Sequence, residues 1–220
     1  MEKAMKHHNL RCCLWLLVLL LYALTSAETP ATSSSTSLPH NPLAGPPARI
    51  LVVYYSRTGN TEQMARGVIE GTKRVPRVVT MLKKVSEVSK EDLDAADGIV
   101  LGCPTYFANL PGEMKTIIDN WNWKMKVDFT DKVGGAFTTA GGHVGGQGHV
   151  VVSLLLFMLN NRMVVAGPLY RNEETGSIWG ESGAAAVTGP LDPGVGEEEL
   201  DGARRLGERV ARLTIKMKGY

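Results

Sequence analysis

A short loop of small hydroxylated residues, Ser56–Thr61 (SRTGNT), lies between an apolar run and an amphipathic run. A helix that begins here presents free backbone N–H groups and a partial positive charge, and phosphate groups bind readily at such a position. The hydroxyls add hydrogen-bond donors, and Gly59 lets a ligand approach the backbone closely. The same residue types also cap ordinary helices, so this loop alone supports phosphate binding and simple capping equally.

The two best-known nucleotide motifs are missing from this loop. No Lys-Ser or Lys-Thr pair follows a GxxxxG spacing, and no GxGxxG run precedes the predicted helix. The loop therefore does not indicate binding of a nucleoside triphosphate or of a dinucleotide.

Two further loops share this small and polar character. Cys103–Asn109 (CPTYFAN) carries the adjacent aromatic residues Tyr106 and Phe107, which would be able to flank a flat ring. Thr138–Gly148 has five glycines in eleven positions. Each loop alone has an ordinary explanation, since one aromatic ring can pack inward and a glycine-rich segment can be a plain turn. Three such loops at one place are more informative than any one of them.

Strands and helices are predicted in alternation along residues 49–220. The apolar, β-branched runs predict five strands, at Ile50–Tyr55, Val75–Leu82, Gly98–Gly102, Lys132–Thr139 and Met163–Ala166. The amphipathic or long runs predict helices at Thr61–Lys73, Ser89–Ala96, Pro111–Trp121, Gln147–Asn160 and Gly196–Met217. Asp92 lies three positions after Ser89 and suits a capping box, and Pro111 is predicted in the first turn of its helix. The Gln147–Asn160 run also suits a strand by propensity, and its place in the alternation favours a helix.

This alternation predicts an α/β fold with a five-stranded parallel sheet and helices on both faces. In such sheets ligands bind beyond the carboxyl ends of the strands. The three loops follow the first, third and fourth predicted strands, so we expect them to meet at that edge.

The charge of the folded part is balanced. The chain has 24 basic and 22 acidic residues, of which four and two lie in residues 1–49, so 20 of each remain. A neutral domain gives no electrostatic basis for binding nucleic acid. His143 and His149 have no carboxylate or cysteine at ligand spacing, so no metal site is predicted. Cys103 is expected to be a buried packing residue.

The N-terminal segment has the pattern of a targeting signal. Lys3, Lys6 and Arg11 precede the apolar run Cys12–Leu24, and small residues follow. This run has 13 residues, whereas a membrane span needs about 20. We expect residues 1–27 to be a cleaved signal peptide or an uncleaved signal anchor, which would send the chain into the export pathway and allow membrane association. The Ser/Thr/Pro-rich residues 28–48 are predicted to be a disordered linker, and residues 49–220 to be the folded domain.

Three stretches together resemble a known family. YYSRTGNTEQMARGVIEG, GIVLGCPTYFANLPGEMKTIIDNW and KVGGAFTTAGGHVGGQG are similar to segments of the flavodoxin-like NAD(P)H:quinone oxidoreductases, in particular those of the WrbA type. The resemblance covers the chain from about Arg49 to Tyr220. It implies a flavodoxin-like three-layer sandwich, FMN as cofactor, and two-electron reduction of quinones by NAD(P)H. It also implies ping-pong hydride transfer through flavin N5, and a homodimer or homotetramer in which residues 167–194 reach a neighbour.

The resemblance also implies a set of site residues. The FMN phosphate would be held by Ser56, Arg57, Thr58, Gly59, Asn60 and Thr61. The isoalloxazine ring and the ribityl chain would be lined by Pro104, Thr105, Tyr106, Phe107, Ala108 and Asn109. The other ring edge would be covered by Thr138, Thr139, Ala140, Gly141, Gly142 and Gly145. Trp123 and Asn161 would border the substrate, and no catalytic acid or base is assigned.

The chain departs from the family pattern at three points. Asn160 and Asn161 stand where the family often has histidines, and an amide cannot supply a proton at neutral pH. Tyr106 stands where a basic residue is common, which leaves the choice between NADH and NADPH open. The N-terminal signal is unusual in a mainly cytosolic family.

Two alternatives to an enzyme are consistent with the same fold. One is a flavodoxin-type electron carrier, although such carriers tend to be strongly acidic and this domain is neutral. The other is a non-catalytic binding protein that has kept the fold. Turnover of NAD(P)H with a quinone separates the enzyme from both.

Overall fold

The computed structural model of the chain describes residues 45–219. The targeting segment and the linker up to residue 44 lie outside the described residues and stay predictions. The strands are β1 Ala48–Tyr54, β2 Val78–Lys84, β3 Gly98–Pro104, β4 Val133–Ala140, β5 Val164–Val165, β6 Leu169–Arg171, β7 Ile178–Gly180 and β8 Ala184–Val187. The helices are α1 Asn60–Thr72, α2 Lys90–Ala95, α3 Gly112–Trp123, α4 Gln147–Asn160 and α5 Glu197–Met217. In this part of the chain no helix is both long and apolar enough to span a bilayer.

The main sheet is parallel and has the strand order β2-β1-β3-β4-β5. In its register Tyr54 pairs with Gly102, and Pro104 pairs with Thr139. The carboxyl ends of the three central strands are therefore nearly level, and the loops that follow them leave the sheet at one edge. The predicted flavodoxin-like parallel sheet with helices on both faces is confirmed.

The fifth position of the sheet differs from the prediction. We expected one strand at Met163–Ala166, but β5 has two residues and pairs only with Val133–Gly134 at the start of β4. The upper half of β4 pairs instead with β8, at Phe137–Ala140. Between β5 and β8 the chain forms the antiparallel hairpin of β6 and β7. This insertion diverts the chain from the sheet edge, and β8 returns it to complete the same position.

Both faces of the sheet are buried. In β1, Leu51 and Val53 face one layer of core, while Ile50 and Val52 face the other. The first layer is closed by α2, α3 and α4, and the second by α1 and α5. Burial on both faces explains why the central strands are continuous apolar runs without alternation.

The five predicted helix starts agree with the observed ones to within one residue. Ser89 caps α2 in a capping box, because its hydroxyl accepts from the Asp92 N–H at 3.2 Å and Asp92 Oδ2 accepts from the Ser89 N–H at 2.8 Å. Pro111 is the N-cap of α3 and does not lie in its first turn as predicted. The ambiguous run at Gln147–Asn160 is a helix, as its place in the alternation predicted.

The helices α1 and α5 touch through their backbones. A side chain at Gly71 would collide with the Arg204 carbonyl, and one at Gly207 would collide with the Val68 carbonyl. This contact sets the position of α1, and therefore of the loop at its N-terminus.

We expect Gly207→Ala to lower the free energy of unfolding by about 1–3 kcal/mol, since the added methyl group forces the two helices apart. Denaturant unfolding of the purified chain measures this. Gly112→Ala is the matched control, because a Cβ there meets no atom within 4 Å. Equal stability losses in the two variants would contradict the close contact.

Candidate functional site

The three loops predicted to meet do so, around a cavity of about 240 Å³ beyond the carboxyl ends of the strands. The predicted residues that line this cavity are Arg57, Thr58, Asn60, Thr61, Pro104, Thr105, Tyr106, Thr139, Ala140 and Gly141. Three further lining residues come from the segment after β8 and were not predicted: Thr188, Gly189 and Asp192. We call this the edge cavity.

The first loop leaves the N-terminus of α1 open. Gly59 is the N-cap with a φ of 102°, and no side chain caps this helix. The Ser56 hydroxyl accepts from the Gly59 N–H at 3.1 Å, which shapes the loop without blocking the first turn. A Cβ at Gly59 would meet nothing within 4 Å, so there is room above the backbone. The simple capping explanation of SRTGNT is therefore wrong, and an anion-accepting helix end remains.

Hydroxyl groups connect the loops to one another. Thr61 Oγ1 and Thr139 Oγ1 are 2.8 Å apart, which joins the start of α1 to the end of β4. Thr105 Oγ1 lies 3.1 Å from Thr138 Oγ1, and the Thr105 N–H donates to the Thr139 carbonyl at 2.7 Å. Thr138 is completely buried and also donates to the Cys103 carbonyl, so it supports the loops without reaching the cavity.

The second loop is a tight turn with two residues in the left-handed region. Tyr106 and Asn109 exchange backbone hydrogen bonds of 3.0 and 2.9 Å, while Phe107 and Ala108 have φ values of 50° and 63°. Neither is glycine, so the turn stores some backbone strain. Gly146 makes the third loop fit against this turn, because a Cβ there would lie 2.5 Å from the Ala108 Cβ.

The two aromatic residues of this turn behave differently. Tyr106 lines the edge cavity and meets the Tyr55 ring edge-on, with the centroids 6.3 Å apart. Phe107 is fully exposed to solvent and lines no part of the cavity. The Tyr55 hydroxyl donates to Glu113 at 3.2 Å, and desolvation together with this carboxylate raises the pKa of Tyr55. Of the two residues expected to flank a flat ring, only Tyr106 is placed to do so within this chain.

The predicted substrate residues Trp123 and Asn161 lie at the opposite edge of the sheet. Helices α3 and α4 begin at the loop edge and run back to the amino ends of the strands, so residues at their C-termini are far from the cavity. Trp123 is 74% exposed, with Lys126 Nζ 5.9 Å from its ring centroid. Asn161 is buried and donates to the Phe157 carbonyl at 2.8 Å. Neither residue lines the edge cavity of its own chain, and their role at the substrate stays a prediction.

A fourth loop, Thr188–Val195, completes the edge cavity and was missed. The Thr188 N–H donates to the Ala140 carbonyl at 3.0 Å, and the Val195 N–H donates to Gln63 Oε1 at 3.2 Å. Asp192 Oδ1 accepts from Asn60 Nδ2 at 2.6 Å. The run TGPLDPGV carries a clear turn composition. The fourth loop was not assigned to the site because β8, the strand that precedes it, was not predicted.

The side chains at the cavity carry little charge. Arg57 is basic and Asp192 is acidic, and the other lining residues are neutral. Cys103 lies behind the second loop, is completely buried, and has a pKa raised to about 12 by that burial. It is a packing residue, as expected.

Known proteins share both the sequence and the fold. The family model of NADPH-dependent FMN reductases matches residues 48–175. The chain belongs to this family. It is 31% identical to an NAD(P)H dehydrogenase (quinone) of Geobacter sulfurreducens over 204 residues, covering 77% of this chain and 99% of the relative. A protein of the same name from Geotalea daltonii is 30% identical, covering 77% of this chain and 98% of the relative.

Solved structures agree with this family membership. A WrbA-like flavodoxin from Agrobacterium tumefaciens matches with a TM-score of 0.61 and 25% identity, covering 77% of this chain and 99% of the other. A flavodoxin from an archaeon shows the same fold, with a TM-score of 0.59 and 21% identity over 76% of this chain and 98% of that one.

The family and the fold indicate FMN as the cofactor, and the edge cavity suits such a molecule. The uncapped end of α1, with open space above Gly59, would take the phosphate. Tyr106 and the open glycines Gly141 and Gly142, at which a Cβ would meet nothing within 4 Å, would border the flat ring. The assignment of individual residues to FMN stays a prediction.

We expect Gly59→Ala to weaken FMN binding roughly tenfold, because alanine strongly disfavours a φ of 102° and the free loop would relax away from the binding conformation. Quenching of FMN fluorescence on titration with protein measures the Kd. Gly176→Ala is the matched control, since Gly176 also has a positive φ and open space around it but lies in the hairpin of β6 and β7. Unchanged affinity in Gly59→Ala would contradict the phosphate assignment.

Proposed function

We propose that the chain is an FMN-dependent NAD(P)H:quinone oxidoreductase of the WrbA type. The observation that carries this proposal is the edge cavity, where an uncapped helix end and an aromatic turn meet beyond the strands. The relatives named NAD(P)H dehydrogenase (quinone), which match along nearly their whole length, support it.

The residues of the chain would bind and orient the cofactor. Backbone N–H groups at the start of α1, with the hydroxyl of Thr58, would hold the phosphate. Thr105 is fixed by bonds to both Thr138 and Thr139, so the loop beside the ring has a defined position. Bound FMN would accept and donate the hydride, so the side chains of the protein need not do so.

The lining of the edge cavity contains no histidine, lysine, cysteine or glutamate. Its one carboxylate, that of Asp192, already accepts a hydrogen bond from Asn60 Nδ2. The contribution of the chain would therefore consist of binding, orientation and exclusion of water. Nicotinamide and quinone would use the same opening in turn, and this is the basis of the ping-pong order that we propose.

The activity is tested with purified protein, FMN, NADH or NADPH, and benzoquinone. We expect quinone-dependent consumption of the nicotinamide above the rate with free FMN alone. Double-reciprocal plots at several quinone concentrations should give parallel lines, as the ping-pong order requires. Binding of FMN without turnover above the free flavin would favour an electron carrier, and failure to bind FMN would favour a non-catalytic protein.

We also propose that the protein is a homodimer or homotetramer. The apolar residues Val152, Leu156 and Leu159 are all exposed on α4 at helical spacing, so one stripe of this helix has no cover within the described chain. An apolar stripe of this kind is typical of an interface between subunits.

We expect Leu156→Glu to reduce the mass of the particle in sedimentation, because a charge in an apolar interface is strongly unfavourable. Thr116→Glu on the neighbouring helix α3 is the matched control, since it introduces the same acidic residue at a site that is already exposed, and the mass of the particle should then stay unchanged. A monomeric wild type would contradict the proposal.

A further inference from the structure

The carboxylate of Asp192 lies beside the loop that would hold the cofactor phosphate. Asp192 lines the edge cavity together with Arg57, Thr58 and Asn60. Its Oδ1 is 2.6 Å from Asn60 Nδ2, and Asn60 is the first residue of α1. An acidic group therefore stands at the helix end that is otherwise suited to an anion.

The fourth loop that carries Asp192 is held to the first turn of α1 by two bonds. One is the Asp192–Asn60 contact, and another is the bond from the Val195 N–H to Gln63 Oε1. Asp192 itself has a φ of 48°, which aspartate tolerates better than most residues. The hydrogen bond to Asn60 needs only an acceptor oxygen, and a neutral amide oxygen would serve as well.

The negative charge of Asp192 therefore has an effect that is separate from its hydrogen bond to Asn60. Arg57 is the one basic side chain that lines the cavity, and Asp192 balances it. A phosphate dianion placed at the start of α1 would be held by N–H groups and hydroxyls while it is repelled by the nearby carboxylate. Asp192 is exposed on its outer side, so solvent screens part of this repulsion.

We propose that Asp192 weakens the hold of this chain on the phosphate of FMN and so speeds the release of FMN. This inference rests on the proposed function, since it assumes that FMN binds in the edge cavity. It assigns Asp192 as a residue that sets affinity for the phosphate and not for the ring.

The test compares Asp192→Asn with the wild type in full-length protein. The Kd values of FMN and of riboflavin, which lacks the phosphate, are measured by fluorescence quenching. We expect Asp192→Asn to bind FMN about fivefold more tightly and release it more slowly, because the charge is removed while the acceptor for Asn60 is kept. Riboflavin affinity should stay the same, and the gain for FMN should shrink in high salt.

Asp131→Asn is the matched control. Asp131 is also exposed and has a φ of 62°, but it lies at the amino edge of the sheet, where its N–H donates to the Arg162 carbonyl. The same change of charge there should leave both affinities unaltered, which excludes an effect of net charge alone.

The possible outcomes separate the two proposals. Equal gains for FMN and riboflavin, no gain, or weaker FMN binding in Asp192→Asn would overturn the role of Asp192 and leave the oxidoreductase proposal standing. Failure of both the wild type and the variant to bind FMN would overturn the proposed function and this inference together.

Discussion

The site depends on the level register of the three central strands. Because Tyr54 pairs with Gly102 and Pro104 pairs with Thr139, the loops after β1, β3 and β4 start at almost the same height. Gly102 makes part of this packing possible, since any side chain there would collide with the Phe137 ring. A shift of one strand would separate the loops and break the threonine bonds that join them.

The loops around the edge cavity are held in place by hydroxyl and backbone hydrogen bonds and not by ion pairs. Thr61, Thr105, Thr138 and Thr139 are bonded in pairs across three loops, so the loops are fixed before any ligand arrives. The strained turn at Phe107–Ala108 is held by the same framework. Affinity for a phosphate then depends on the N-terminus of α1 and on the two charged side chains of the cavity, Arg57 and Asp192. A change in either charge should therefore alter that affinity.

The parts of this fold that could be predicted are those with long or repeated patterns. The central strands and α4 follow from their apolar runs, and the meeting of the three loops follows from the parallel alternation. The fourth loop could not be predicted, because β8 has four small residues and no distinct period. Trp123 and Asn161 were assigned by resemblance, and the direction of α3 and α4 along the sheet places them away from the edge cavity of their own chain. Phe107 is exposed in a turn with positive φ values, and composition alone reveals neither feature.

The division of the fifth strand position also affects how the sheet ends. A long free edge strand is a template on which another chain can add its own strand, and proteins commonly avoid this with short or interrupted edges. Here β5 has two residues and β8 has four, with the hairpin between them. Neither piece offers a run of backbone groups long enough for stable pairing. The insertion that divides the fifth strand position therefore also protects this side of the sheet against strand-by-strand aggregation.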